Sequence, residues 1–163
     1  ALEVLERADA IIFGPGDLFT SVLPNLLVRG IKERIAASRA KKIMITNIMT
    51  KAGQTDGFRA SDFVRILNAY LTVKNVARPL DVAIVNNKKP DASLLAAYKK
   101  QKAAYVEPDL PAIKALGVTP VATPLVARGT FGKAKGDRLQ RSMLRHDSEK
   151  TASVIWKLLA SAL

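Results

Sequence analysis

Residues 10–22 have the sequence AIIFGPGDLFTSV, which predicts a buried strand that opens through a glycine turn into a helix. Gly14 and Gly16 allow backbone conformations that other residues avoid, and a proline fixes one dihedral angle between them. Thr20 and Ser21 stand where a helix needs its N-cap, and the amides of a first helical turn favour an anion. The stretch predicts either a phosphate-binding turn or an ordinary strand-to-helix connection, since it matches neither the Walker pattern nor G-x-G-x-x-G.

The composition is typical of a soluble globular protein. Of the 163 residues, 48% are hydrophobic and 25% are charged, which suits one domain (1–163) with a sizeable core. No apolar run approaches the roughly 20 residues of a membrane span and no signal segment opens the chain, so we expect a cytoplasmic protein without membrane contact. The absence of cysteine and the single histidine, His146, exclude disulfides and most zinc sites.

The formal net charge is +12, which predicts attraction to polyanions. Part of this charge lies in a basic loop at residues 127–145, where Asp137 is the only acidic residue and Phe131 the only aromatic. The basic residues of the loop are Arg128, Lys133, Lys135, Arg138, Arg141 and Arg145. Nucleic-acid surfaces usually add stacking side chains, and only 6% of this chain is aromatic, so a solvated loop is favoured over a nucleic-acid site.

Short apolar runs alternate with amphipathic patterns along the chain. The runs are rich in Ile and Val and predict strands at residues 10–13, 42–46, 81–85, 104–107 and 118–122. Helical spacing predicts one helix over 23–35, a second over 63–71, a third from Leu94 through Tyr98, a short fourth over 109–116 and a last one from Asp147 to Ala162. This alternation produces right-handed parallel crossovers and therefore predicts a layered α/β fold.

Polar side chains follow two of the predicted strands. Because ligands bind such sheets at the carboxyl ends of the strands, these side chains are candidates for ligand contact beside the glycine turn. The alternative is that they cap turns and helices. The candidates are Asn47, Thr50, Thr55 and Asp56 after the second strand, and Asn86 and Asn87 after the third.

Six motifs then occur in a familiar order. They are GPGDLFTSVLPNLLV at 14–28, NIMT at 47–50, QTDG at 54–57, ASD at 60–62, VNN at 85–87 and RHD at 145–147. Together they resemble the gluconeogenesis factor (YvcK-like) family, within the superfamily of the phospholactate transferase CofD. The resemblance covers nearly the whole chain and corresponds to the carboxyl-terminal half of a family member.

The resemblance implies a Rossmann-like three-layer sandwich with a mainly parallel sheet, lacking its amino-terminal half. It also implies a regulatory protein of carbon metabolism, cell-wall precursor supply and cell shape, which binds UDP-N-acetylglucosamine or a phosphate ligand in a cleft between the halves. By motif, the ligand-binding residues are Gly14, Gly16, Asp17, Leu18, Thr20, Ser21, Asn47, Tyr98 and Arg145. Tyr98 also fits a helix core and Arg145 the basic loop, and Tyr105 is a rival for the family tyrosine.

The chain departs from the family pattern in several places. The family's opening Gly-Gly-Gly-x-Gly turn is absent, so we expect a homo-oligomer or a partner chain that carries the missing half. Positive charge is added near the cleft by Arg29 in place of proline, by Lys51-Ala52 in place of Gln-Pro, and by Lys88 in place of a small residue.

Two other functions remain open at this point. One is an enzyme like the phospholactate transferase, which would need a divalent metal; Asp56 and Asp62 are the nearby acidic candidates, and Asp62 also fits a first-turn helix acid. The other is a polyanion-binding domain built on the basic excess. The glycine turn resembles the regulatory branch more than the transferase branch, which favours a protein without catalysis.

Overall fold

The computed structural model describes residues 1–73, 80–127 and 144–160. Its strands are β1 (Ala10–Phe13), β2 (Lys41–Ile45), β3 (Val82–Asn86) and β4 (Thr119–Thr123). Its helices are α1 (Leu2–Arg7), a π-helical turn (Leu18–Val22), α2 (Leu23–Leu26), α3 (Ile31–Ala37), α4 (Ala60–Leu71), α5 (Ala92–Lys100), α6 (Leu110–Ala115) and α7 (Ser148–Ala160). None of these helices has the length and apolar character needed to cross a membrane.

The four strands form one parallel sheet in the order β1-β2-β3-β4. Right-handed crossovers between strands in sequential order place connecting helices on the same face of the sheet, whereas α5 packs in a separate cluster with Ile48 and Leu144. The main apolar cluster lies on that face, where Phe13 and Met44 pack with residues of the connecting helices. On the opposite face Ile43 and Ile84 pack against α7. The predicted α/β class and the three-layer arrangement are therefore confirmed.

Helix α4 lies at the centre of the main cluster. Phe63, Leu67 and Leu71 are fully buried, as the predicted apolar stripe requires. The helix begins with a capping interaction in which the Arg59 amide donates to Oδ2 of Asp62 over 2.9 Å. Burial raises the pKa of Asp62, but this hydrogen bond and the neighbouring Arg65 outweigh that effect, so the pKa lies below its ordinary value. Asp62 is thus the first-turn helix acid, one of its two predicted roles.

The strand predicted at residues 104–107 is wrong. This segment pairs antiparallel with the chain just beyond β2, through a bridge between Met49 and Tyr105. The Thr50 amide donates to the Ala104 carbonyl over 2.7 Å, and the Val106 amide donates to the Ile48 carbonyl. These local partners take the hydrogen bonds that a strand of the sheet would form. The other predicted strands are present, three of them shifted by one residue.

The single helix predicted over 23–35 is also wrong. Helix α2 ends at Leu26, and Gly30, the N-cap of α3, has a φ of +84°, a left-handed conformation that a continuous helix cannot contain. Leu27 lies in the interruption and is 71% exposed, although its four-residue spacing predicts a core position. The last two predicted helices are confirmed as α6 and α7. The basic loop at 127–145 lies outside the described residues except at its ends, and Ala162 also lies outside them.

Candidate functional site

A cavity opens at the carboxyl ends of β1 and β2, beside the glycine turn. Its volume is about 600 Å³, within the range of pockets that hold small organic ligands. The glycine turn, the loop after β2, the end of α5 and the segment before α7 all contribute to it. The lining residues are Pro15, Gly16, Asp17, Asn47, Ile48, Met49, Thr50, Lys51, Ala52, Tyr98, Gln101, Ala103, Leu144, Arg145 and His146.

This cavity brings together five of the nine ligand-binding residues that the sequence predicts. The five that line it are Gly16, Asp17, Asn47, Tyr98 and Arg145, and the four that do not are Gly14, Leu18, Thr20 and Ser21. The five come from four well-separated parts of the chain. The fold therefore places most of the predicted set around one volume.

The glycines of the turn do not have the backbone geometry that the sequence suggests. Neither Gly14 nor Gly16 is among the glycines with positive φ. A Cβ at Gly14 would meet no atom within 4 Å, and a Cβ at Gly16 would lie 3.4 Å from Cγ2 of Val22. The expectation that these positions need glycine for their dihedral angles is wrong. The open space beside Gly14 does leave room for a ligand close to the main chain.

Thr20, Ser21 and Leu18 do not have the places in the turn that the sequence predicts. The helix begins after Asp17, whose carbonyl accepts the Ser21 amide over 2.8 Å. Thr20 and Ser21 therefore lie inside the first helical turn and are exposed, so their prediction as N-cap residues is wrong. Leu18 is only 1% exposed and packs in the main apolar cluster, so its side chain does not face the cavity.

Asn47 joins the end of β2 to the glycine turn. Its Nδ2 donates to the Gly16 carbonyl over 3.0 Å. The other candidates in this loop hold the loop itself: Oγ1 of Thr50 accepts the Ala104 amide, Oγ1 of Thr55 accepts the Lys51 amide, and Asp56 accepts the Gly53 amide. For these three the turn-forming alternative explains the side chains.

The two asparagines at the end of β3, Asn86 within it and Asn87 just after it, do not line the cavity. Asn86 is buried, and its Oδ1 accepts the Leu125 amide over 2.9 Å while its Nδ2 donates to the Lys88 carbonyl over 2.7 Å. The neighbouring Asn87 is exposed and its amide donates to the Thr123 carbonyl. Asn86 therefore fastens the β3 end to the residues after β4.

Tyr98 and Arg145 both line the cavity. Tyr98 is buried, and its hydroxyl accepts the Leu144 amide over 3.0 Å. The Arg145 carbonyl accepts the Ala127 amide over 2.9 Å, and its side chain is exposed. The rival Tyr105 does not line the cavity, because its hydroxyl donates to the Asn86 carbonyl.

His146 follows Arg145 and also lines the cavity. Its Nε2 lies 3.1 Å from the Thr46 carbonyl, and since a carbonyl only accepts, Nε2 carries the hydrogen. Nδ1 is then an acceptor in the neutral ring. Burial lowers the pKa of His146, while the hydrogen bond to Thr46 acts in the opposite direction. The ring is therefore neutral at pH 7.

Comparisons with known proteins identify the family. Residues 1–126 match the family model described as 2-phospho-L-lactate transferase CofD. The chain belongs to the CofD family.

Relatives within this group carry a more specific name. A protein of Thermotoga maritima named "Putative gluconeogenesis factor" is 41% identical over 96% of this chain and 46% of its own length. A protein of Bacillus subtilis named "Gluconeogenesis factor" is 33% identical over 97% of this chain and 45% of its own length. A crystal structure of a Bacillus halodurans protein matches with a TM-score of 0.79 and 37% identity, over 95% of this chain and 45% of that one. The chain spans about half the length of the relatives it matches.

In this CofD-family chain the cavity has a mixed charge. Among the described lining residues, Lys51 and Arg145 are cations and Asp17 is the only carboxylate. Nζ of Lys51 lies 3.6 Å from Oδ2 of Asp17. Lys51 was expected only as added charge near the cleft and not as a ligand-binding residue, and Gln101 and His146 had no predicted role in the site. Lys51 and His146 lie in or next to recognised motifs, and that proximity is the signal that could have found them.

Proposed function

We propose that this protein binds UDP-N-acetylglucosamine in the cavity and acts as a regulatory protein rather than as an enzyme. The observation that carries the proposal is the convergence of Gly16, Asp17, Asn47, Tyr98 and Arg145 around one volume of about 600 Å³. That volume suits a nucleotide sugar. The names of the relatives support a role as a gluconeogenesis factor. Effects on cell-wall precursor supply and cell shape, and a cytoplasmic location, belong to the same proposal.

The chemistry of the lining fits a ligand of this class. A guanidinium such as that of Arg145 can contact phosphate through two parallel hydrogen bonds. The neutral His146 contributes a polar ring without adding charge. The apolar side chains of Ile48 and Met49 line the cavity, where they can pack against the base of a nucleoside.

Calorimetric titration of the protein with UDP-N-acetylglucosamine tests this function. We expect saturable binding with one ligand per chain, and weaker binding of uridine, which lacks both the diphosphate and the N-acetylglucosamine. Absence of binding heat at millimolar ligand, in protein that circular dichroism shows to be folded, contradicts the proposal.

A substitution can show whether Gly14 leaves space for a ligand or only forms a turn. Gly14→Ala is expected to leave the free energy of unfolding unchanged or to raise it by about 0.4–1 kcal/mol, because the position has neither a positive φ nor a crowded Cβ. If the ligand approaches the main chain here, the added methyl group lowers ligand affinity roughly tenfold or more. Urea unfolding and calorimetry measure the two effects. Unchanged affinity assigns Gly14 to a structural turn.

A matched control for this variant is Gly53→Ala. Gly53 has a φ of +76°, which side chains rarely adopt. The substitution should lower the free energy of unfolding by about 1 kcal/mol. Like Gly14, Gly53 does not itself line the cavity, so a loss of affinity that is larger in Gly14→Ala than in this variant is caused by the methyl group at Gly14 and not by loss of stability.

A second candidate function is a transferase, which the description of the matching family model favours. Such an enzyme joins a phospholactyl group to a flavin-type acceptor with a divalent metal. The metal does not fit the described residues: Asp56 accepts the Gly53 amide, Asp62 caps α4, and no group of three or more metal-binding side chains occurs in the described ranges. A mass increase of the acceptor on incubation with a phospholactyl donor and Mg²⁺ would favour this function over the regulatory one.

The exposed edge of the sheet supports the proposal of a partner. In the described part of the chain β1 pairs only with β2, so its other edge is unpaired. Ile12 is 44% exposed on the face where its neighbour Ile43 packs against α7. We infer that this edge pairs with a second copy or with a chain that carries the other half of a family member. A monodisperse monomer by light scattering, without binding of an apolar dye, contradicts this inference.

A further inference from the structure

We propose that Lys51 is an anion-binding residue of the cavity, held at rest by Asp17 and released when a phosphate-type group enters. The inference rests on the proposed function because it concerns the same cavity. The resemblance assigns no role to Lys51, which stands where the resemblance leads us to expect glutamine. A role for Lys51 in binding would therefore be a property of this chain's own sequence.

The main chain of Lys51 is firmly placed at the rim. Its amide donates to Oγ1 of Thr55 over 2.8 Å, and its carbonyl accepts the amides of Gln54 and Thr55 over 3.0 and 2.9 Å. Thr55 is itself buried. Because the backbone is anchored by three hydrogen bonds, the freedom of Lys51 lies in its side chain, which lines the cavity.

The ion pair between Lys51 and Asp17 is loose. Nζ and Oδ2 are 3.6 Å apart, and the side chains are 55% and 40% exposed. A charge-assisted hydrogen bond is normally 2.7–2.9 Å long, and exposed ion pairs of this kind contribute little to stability. The pair can therefore open at low cost. It also keeps the ammonium group over the cavity before any ligand arrives.

A phosphate is a better partner for this ammonium group than Asp17. It presents several oxygens to Lys51, and Arg145 is a second cation in the described lining of the same cavity. Once released, the Asp17 carboxylate can accept hydrogen bonds from the hydroxyl or amide groups of a sugar. The ligand class that satisfies both partners of the pair is a sugar phosphate or nucleoside diphosphate sugar.

The test uses two variants with opposite expected effects on the binding of inorganic pyrophosphate, measured by calorimetry at low salt. Lys51→Gln, which restores the family residue, should weaken binding roughly three- to tenfold because one cationic contact is lost. Asp17→Asn should strengthen binding about two- to fivefold because the competing carboxylate is gone. A general disturbance of the loop would weaken binding in both variants.

The matched control is Lys150→Gln. Lys150 forms an ion pair of 3.0 Å with Asp147 and is 45% exposed, but it does not line the cavity. It should leave pyrophosphate affinity unchanged. An equal loss in this variant means that only the overall charge of the protein matters, which overturns the proposal.

Titrations with UDP-N-acetylglucosamine separate this inference from the proposed function. If the nucleotide sugar binds with the same affinity in Lys51→Gln, the inference fails and the proposed function stands. If pyrophosphate binding depends on Lys51 while the nucleotide sugar does not bind, the inference stands and the proposed function fails. If the parent protein binds neither ligand, both are overturned.

Discussion

Arg145→Ala is expected to lower the affinity for UDP-N-acetylglucosamine by roughly 10- to 150-fold. The physical reason is that hydrogen bonds to charged groups contribute about 1.5–3 kcal/mol each, and the guanidinium is one of two cations in the described lining. The residue is exposed, and its carbonyl, which accepts the Ala127 amide, is retained in the variant. Calorimetry measures the affinity, and circular dichroism checks the fold.

Arg39→Ala provides the matched control for this prediction. Arg39 is also an exposed arginine, but it lies between α3 and β2. It is therefore near the amino end of β2, whereas the cavity lies at the carboxyl end. Its loss changes the net charge by the same amount and should leave affinity within about twofold. Equal affinities in Arg145→Ala and the parent protein would assign Arg145 to the solvated basic loop, which is the competing explanation.

Tyr98 should respond differently from Arg145. Its hydroxyl accepts the Leu144 amide, next to Arg145 in the chain, and its ring packs with Ile48 and Leu144. The cavity wall at Tyr98 is therefore part of a small apolar cluster, whereas Arg145 contributes a charge. Substitutions of Tyr98 report on both binding and packing, whereas Arg145→Ala reports on binding.

The layered fold could be predicted because the spacing of apolar residues in the sequence agrees with the way the elements pack. Phe63, Leu67 and Leu71 are predicted to be buried by their spacing, and they are, because α4 packs between the sheet and its neighbouring helices. The helix over 23–35 fails because Gly30 adopts a left-handed conformation, which spacing of apolar residues cannot reveal. Residues 104–107 have strand-like composition, but which partner they pair with depends on distant parts of the chain.

The candidate site is predicted less completely for a related reason. Asn47 and Arg145 belong to motifs, and the fold brings both to the cavity. Thr55 has an equally suitable side chain, yet its hydroxyl is used by the Lys51 amide. Sequence identifies which groups can contact a ligand, but only the hydrogen bonds of the folded chain decide which of them are already used. The same argument explains the different positions of Asn86 and Asn87.

Asn86→Ala is expected to lower the free energy of unfolding by about 2–4 kcal/mol. The substitution removes the acceptor of the buried Leu125 amide, and an unsatisfied buried donor costs about 1–3 kcal/mol. It also removes the hydrogen bond from Nδ2 to the Lys88 carbonyl, which adds about 1 kcal/mol. Thermal unfolding should shift downward by roughly 5–15 °C for a domain of this size.

Asn87→Ala is the matched control for this prediction. The two asparagines are adjacent and identical in chemistry, but the side chain of Asn87 is exposed, and its hydrogen bond to Thr123 comes from the backbone amide. Its substitution should change the free energy of unfolding by no more than about 0.5 kcal/mol. Similar losses in both variants would mean that Asn86 is not the fastening between β3 and the residues after β4. A large loss in Asn86→Ala alone assigns this asparagine to the framework behind the cavity, because a residue that only contacted ligand would leave the stability of the free protein unchanged.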